Sequence, residues 1–346
     1  MKDEAEPEGI RHPWQTPPAE GEAIEVAEGI LWMRLPLPMA LDHVNVYALR
    51  DEDGWCLVDT GFDTGKTRAI WERLLAGPLS GAPVTKLIVT HHHPDHVGLA
   101  GWFQEMGAEL LATRTAWLMA RMLTLDVQDR PVPETIAFWR RMGMAETELA
   151  ERLEERPFNF ADIVAPMPLG FTRIVAGDVL SIGGRDWTVR TGGGHAAEQA
   201  TLWCRSGQLV LGADMLLPGI SPNIGVYPTE PEADPLSDWF DACEVLGPQA
   251  TDAQLVLPGH KLPFRGLQLR LRQLSENHET ALDRLRAYLS VPHTAAECFA
   301  PIFGRAIRKP EYGLALAETV AHLNHLHQMG EVACDRTAEP WLWRMA

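Results

Sequence analysis

The run Thr90-His91-His92-His93-Pro94-Asp95-His96 constrains this chain more than any other feature. It follows Val84–Val89, a compact apolar stretch that reads as a buried strand, so the strand delivers the chain directly into the histidines. A strand end followed by a tight turn can point several side chains into one volume. Imidazole and carboxylate are good ligands for zinc and similar divalent ions. His91, His93, Asp95 and His96 are too many for one catalytic ion that must keep a position open. They are natural for two ions sharing a site. His92 alternates away from these positions and is read as a non-ligand.

The partners that would complete such a site are sought where other strands end. Gly192-Gly193-Gly194-His195 follows the strand-like Asp186–Thr191, Gly212-Ala213-Asp214 follows Leu209–Leu211, and Pro258-Gly259-His260 follows Gln254–Leu257. In each case a ligand-type residue appears just as an apolar strand stops, with glycine allowing a sharp turn. This recurrence carries more weight than any single histidine. His278, His293, His322, His325 and His327 fall on helical stretches near the C-terminus and read as packing or surface residues.

With 346 residues the chain is long enough for one large domain plus an appendage. A formal net charge of −17 argues against a surface that gains affinity by neutralising phosphates. The five cysteines (Cys56, Cys204, Cys243, Cys298, Cys334) are odd in number and lack CxxC spacing, so a reducing cytoplasm is expected and no disulfide framework. Cys56 and Cys204 lie in apolar runs and should be buried. Residues 1–22 are acidic and proline-rich without an apolar core, which predicts a disordered arm rather than a secretory signal. No stretch is long and apolar enough to predict a membrane span.

Short strands are expected over Ile30–Leu37, Val44–Leu49 and Trp55–Asp59, then a helix over Thr64–Leu75 and another over His96–Met106. Residues 113–168 carry only helical periodicity, and a second group of strands runs from Thr172 to Leu211. Two β-rich halves, each followed by helices, suggest two packed sheets with helices outside. Beyond His260 the pattern is Leu267–Leu289, His293–Phe303 and Leu314–Met329 as helices, then a ribbon through Val332 and Trp341–Trp343.

Thr90–His96 resembles the T-H-x-H-x-D-H signature of the metallo-β-lactamase superfamily, and His195, Asp214 and His260 stand in that family's order. The resemblance covers Ile24 to Arg265. It implies an α+β chain: an αββα sandwich over 23–265 with a helical insertion at 113–168, and a small winged-helix-like C-terminal domain over 266–346. It further implies that His91, His93 and His195 hold one metal ion, Asp95, His96 and His260 a second, and that Asp214 bridges them. The ions expected are two zinc, with iron or manganese as alternatives. A hydroxide shared by ions about 3.5–4 Å apart would attack the substrate. Asp95 would orient it and take its proton, while Asp59 would hold a ligand histidine.

Asp214 stands where, in this reading, lactamases carry cysteine or serine, which points to the glyoxalase II-like and nuclease branches. The order of elements resembles β-lactamase-like protein 2, with its C-terminal winged helix. Thioester hydrolysis, on an acyl-CoA or glutathione conjugate, is the expected activity. Cleavage of single-stranded RNA and hydrolysis of a lactone or ester are the alternatives, and a non-catalytic binding module is the weakest reading. From Lys261 to Ala346 there are 11 Lys and Arg against 9 Asp and Glu, too few cations for a nucleic-acid grip. The appendage is therefore expected to serve packing or a homodimer contact. Trp117, Met119, Met122, Leu123, Trp139 and Met142 in the insertion could cover an acyl group or simply pack. Asn223, Tyr227, Lys261 and Arg265 are candidate substrate contacts.

Overall fold

The computed structural model describes residues 9–346. Strands β1 (Ile24–Ala27), β2 (Ile30–Pro36), β3 (His43–Asp51) and β4 (Gly54–Val58) pair antiparallel in sequence order. Helix α1 (Gly65–Ala76) starts at Thr64, whose hydroxyl accepts the Thr67 N–H, and buries Ile70, Trp71 and Leu74. β5 (Val84–Val89) then runs parallel to β4. Helices α2 (Pro94–Val97) and α3 (Ala100–Glu105) lead to β6 (Glu109–Ala112), parallel to β5. The insertion supplies α4 (Arg114–Leu125), α5 (Pro133–Arg141) and α6 (Glu146–Glu154) before β7 (Thr172–Arg173) completes a seven-stranded sheet.

The second sheet has the order β12-β11-β10-β9-β8, built from β8 (Val179–Ile182), β9 (Arg185–Gly192), β10 (Gln199–Cys204), β11 (Leu209–Ala213) and, after α7 (Pro235–Leu246), β12 (Leu255–Pro258). The C-terminal part is α8 (Leu267–Tyr288), α9 (Phe299–Phe303), α10 (Tyr312–Gln328) and the ribbon of β13 (Val332–Asp335) and β14 (Leu342–Met345).

Strand periodicity explains how these parts stack. In β2, Ile30 and Trp32 join the core between the sheets while Met33 and Leu35 face the outer helices; β3 splits Tyr47 and Leu49 from Val44, Val46 and Ala48 in the same way. The inter-sheet core adds Trp187, Val189, Leu202, Leu211 and Leu257 from the second sheet. A third core lies outside that sheet and unites Trp239, Leu271, Leu282, Leu316, Val320 and Trp343. The result is the expected helix–sheet–sheet–helix sandwich, with the C-terminal helices in one outer layer. Both outer layers also touch the insertion: Ala120, Trp117 and Phe160 pack on one, and Phe138, Met142 and Leu149 on the other.

Parity of the strands creates the functional rim. β4 and β5 are parallel, so both finish at the same edge. β9 and β11 each pair antiparallel with β10, and β12 is parallel to β11, so these three also finish together. Asp59, Thr90, His195, Asp214 and His260 all follow those five ends.

Several expectations need correction. The helix over His96–Met106 is two short helices, because the Gly98 carbonyl accepts the Ala165 N–H (2.7 Å) and a Cβ at Gly98 would lie 2.3 Å from the Gly61 oxygen. His293–Phe303 is helical only from Ala296 onward, as a 3-10 turn followed by α9. β6 was not anticipated: its four residues Glu109–Ala112 are too short for a periodic signal. The arm expected over 1–22 begins outside the described residues, yet from residue 9 it is packed. Ile10 is buried, Arg11 pairs with Arg265, and Trp14 lies edge-on to Trp32. The cysteines are free, and Cys56 and Cys204 are buried. Among the described residues no helix is long and apolar enough to cross a membrane.

Candidate metal centre

Seven ring and carboxylate side chains converge at the rim. His91, His93 and His195 place one nitrogen each within 4.8 Å of one another, as do donor atoms of Asp95, His96 and His260. Asp214 lies between the two sets: its Oδ2 is 3.4 Å from His195 Nε2 and 3.1 Å from His260 Nε2, and its Oδ1 is 3.4 Å from His96 Nε2. Every residue of the sequence-derived set is therefore in one cluster, and His92 is outside it.

Outer hydrogen bonds decide which nitrogen each ring turns inward. Asp59 Oδ2 takes the Nδ1–H of His96 (2.7 Å), leaving Nε2 to the centre. The same carboxylate accepts the Thr90 N–H and hydroxyl, and Thr90 Oγ1 in turn accepts from His91 Nδ1 (3.0 Å). His195 Nδ1 donates to the Asn223 carbonyl (2.8 Å), and His260 Nδ1 to the His43 carbonyl (2.7 Å). The expected part for Asp59 thus has a geometric basis.

The inward atoms lack what buried polar atoms ordinarily have. His96 Nε2 and Asp214 Oδ1 are buried with no hydrogen-bond partner, and His93 Nδ1 lies 3.0 Å from both His91 Nε2 and His195 Nε2. Burial pushes His91 and His93 well below the usual imidazole value, so their lone pairs are free to coordinate. Burial also opposes charge on His96 and His260. There the fields of Asp214 and Asp95 prevail and raise both, His260 to about 10. Unsatisfied carboxylate and imidazole atoms around one small volume are the chemistry of a site for divalent metal, and the donor set fits it.

Two devices bring the strand ends this close. A Cβ on Gly259 would fall 2.1 Å from Asp214 Oδ1, so glycine is needed there for space. Asp59 (φ 62°), Ala213 (φ 43°) and Lys261 (φ 69°) adopt left-handed backbone although none is glycine. Such conformations persist only where surrounding bonds hold them.

Those bonds come from residues the sequence did not flag. Asn45 is buried and uses its whole side chain. Its oxygen accepts from Trp32 Nε1 and Arg34 Nε, and its amide donates to the carbonyls of Pro258 (2.9 Å) and Lys261 (2.8 Å). Its backbone N–H adds a bond to the Gly259 carbonyl. The turn bearing His260 is thereby fastened to the opposite sheet. Fully buried Gln199, at the start of neighbouring β10, anchors Asp214 within its own sheet: with the amide turned so that Oε1 faces them, it accepts the N–H groups of Asp214 (2.9 Å) and Met215 (3.0 Å). A signal existed for Asn45, a polar residue on the face that Tyr47 and Leu49 devote to the core.

The candidate substrate contacts scatter. Met142 is buried against the C-terminal helices, and Trp139 packs on the same core beneath Arg152. Trp117 stacks on Phe171. Met119 and Leu123 are half-buried, and Met122 is exposed. Tyr227 is exposed, and Asn223 meets His195 through its backbone. Arg265 donates to the Ala253 carbonyl beside the start of β12, because the chain doubles back along β12 after His260 and carries Arg265 to the far end.

Comparison with known proteins agrees with this geometry. A family model described as the metallo-β-lactamase superfamily matches residues 39–288, and one described as the metallo-β-lactamase-like C-terminal domain matches residues 282–343. The chain is similar to the probable metallo-hydrolase YqjP of Bacillus subtilis, with 26% identity over 86% of this chain and 92% of that one. A crystal structure of a β-lactamase domain protein from Burkholderia ambifaria superposes with a TM-score of 0.88 at 33% identity, covering 97% of each chain. A metallo-β-lactamase family protein from Thermus thermophilus gives 0.76 at 27% identity, covering 93% of this chain and all of that one.

Proposed function

The chain belongs to the metallo-β-lactamase superfamily, and from that premise we propose that its seven clustered residues hold two divalent ions for the hydrolysis of a thioester. It is a metallo-hydrolase of this superfamily, in agreement with the name of its Bacillus subtilis relative. In our reading His91, His93 and His195 hold one ion, Asp95, His96 and His260 the other, and Asp214 serves both.

Bound ions would supply Lewis acidity and lower the pKa of water at the centre toward neutrality. The protein's own groups do the rest. Asp95 is the cluster's most open carboxylate, with 16% of its side chain exposed, so it is placed to orient an attacking water and take its proton. Asp59 holds His96 as the Nδ1–H tautomer and keeps Nε2 inward. Thr90, Asn223 and His43 do the same for His91, His195 and His260.

The observation that carries the choice of a small substrate over RNA is the burial of α10. Eleven of its residues, from Ala315 to Leu326, are buried, so the longest helix of the winged-helix-like stretch after α8 has no free face for a nucleic-acid groove. Asp214 at the shared position favours the glyoxalase II-like and nuclease patterns over a lactamase, and the burial of α10 then favours the thioester. A panel of acyl-CoA and glutathione thioesters should be run beside a labelled single-stranded RNA, in zinc and in manganese. Turnover of thioesters is expected, and RNA cleavage without thioesterase activity would overturn the proposal.

A further inference from the structure

Residues 217–226 lie between Asp214 and α7 and contain no helix or strand, yet they are held at both ends by helices of the C-terminal part. From α8, Arg270 donates to the carbonyls of Leu217 (2.6 Å) and Ile220 (2.9 Å), and Asn277 Nδ2 to Ser221 Oγ (3.2 Å). From α10, Glu318 Oε2 accepts Asn223 Nδ2 (2.7 Å), the Leu314 carbonyl accepts the same amide (3.3 Å), and the Ala317 carbonyl accepts the Val226 N–H (3.0 Å). Asn223 is therefore gripped through its side chain by α10, while its own carbonyl fixes the ring of His195.

We propose that the C-terminal domain is a positioning device for the centre, with Glu318 acting through Asn223 to hold His195 in coordinating orientation. The inference rests on the metal-site reading given above. Among the described residues Glu318 has no ion-pair partner, and Asn223 is the partner its carboxylate serves. Burial pushes that carboxyl up to about 7, against the pull of Asn223. Either charge state still offers Asn223 an accepting oxygen, so acceptance rather than charge is the property that matters.

The test compares metal affinity in Glu318→Gln and Glu318→Leu by competition with a chromophoric chelator, and follows the d–d spectrum of the cobalt(II)-loaded proteins. Glutamine keeps an acceptor, so E318Q should bind as wild type does. E318L should lose about 10-fold in affinity for one ion, with the other unchanged and the cobalt spectrum altered, the lower end of what outer hydrogen bonds to metal ligands contribute. Equal loss of both ions would mark a merely structural role and overturn the proposal. So would unchanged binding in E318L, or loss in E318Q equal to that in E318L. Wild-type protein that binds no metal would instead defeat the metal-site reading itself.

Discussion

At position 259 a single methyl group decides whether the centre can form. Gly259→Ala would set a carbon 2.1 Å from Asp214 Oδ1 and 3.0 Å from His96 Cε1, so one of those groups must leave its place. We expect metal affinity to fall at least about 10-fold while the melting temperature changes little, measurable by chelator competition and calorimetry. Asp95→Asn keeps the shape of the side chain but removes the base. It should abolish turnover with the fold retained, and full residual turnover would contradict the role assigned to Asp95. The ligands were legible in the sequence because each follows an apolar strand, and three of those four turns carry glycine one or two residues before the ligand. Asn45 and Gln199 were not, since what they do depends on carbonyls and N–H groups of another strand. In the case of Asn45 the acceptors lie 213 and 216 positions away.

Among the elements, strands announced themselves better than helices did. β5 falls on its expected residues because its apolar run ends in the buried Leu87, Ile88 and Val89. The break between α2 and α3 depends on the Gly98 carbonyl meeting Ala165, a contact no local pattern encodes. The pairing of α8 with α10 has its own signature. His278 Nδ1 lies 3.2 Å from His322 Nε2, and burial, followed by neighbouring positive charge, lowers His278 to about 3 and His322 to about 4. Both folded values lie below the ordinary 6.5, so the unfolded chain binds protons more readily. Stability they permit is full above pH 6.5 and is withdrawn as pH falls toward 4, at about 1.4 kcal/mol per pH unit for each ring. Urea unfolding between pH 7 and 5 should show this slope, and His322→Gln should flatten it. A slope unchanged by H322Q would remove the pair from the account.

On the scale of the whole molecule, the sandwich exists to bring five strand ends from two sheets to one edge, and the C-terminal helices and insertion brace that edge from outside. The two-sheet architecture could be expected from two β-rich halves. The bracing could not, because the insertion divides between the two outer cores and the segment after Asp214 takes its order from helices distant in sequence. A cluster of unsatisfied imidazole nitrogens and carboxylate oxygens, set in a chain of net charge −17, should hold cations firmly enough to survive purification. Metal analysis of freshly purified protein, with Asp214→Asn beside the wild type, tests this most directly. About two divalent ions per wild-type chain are expected, and fewer in D214N; well under one ion per wild-type chain would contradict a two-ion centre.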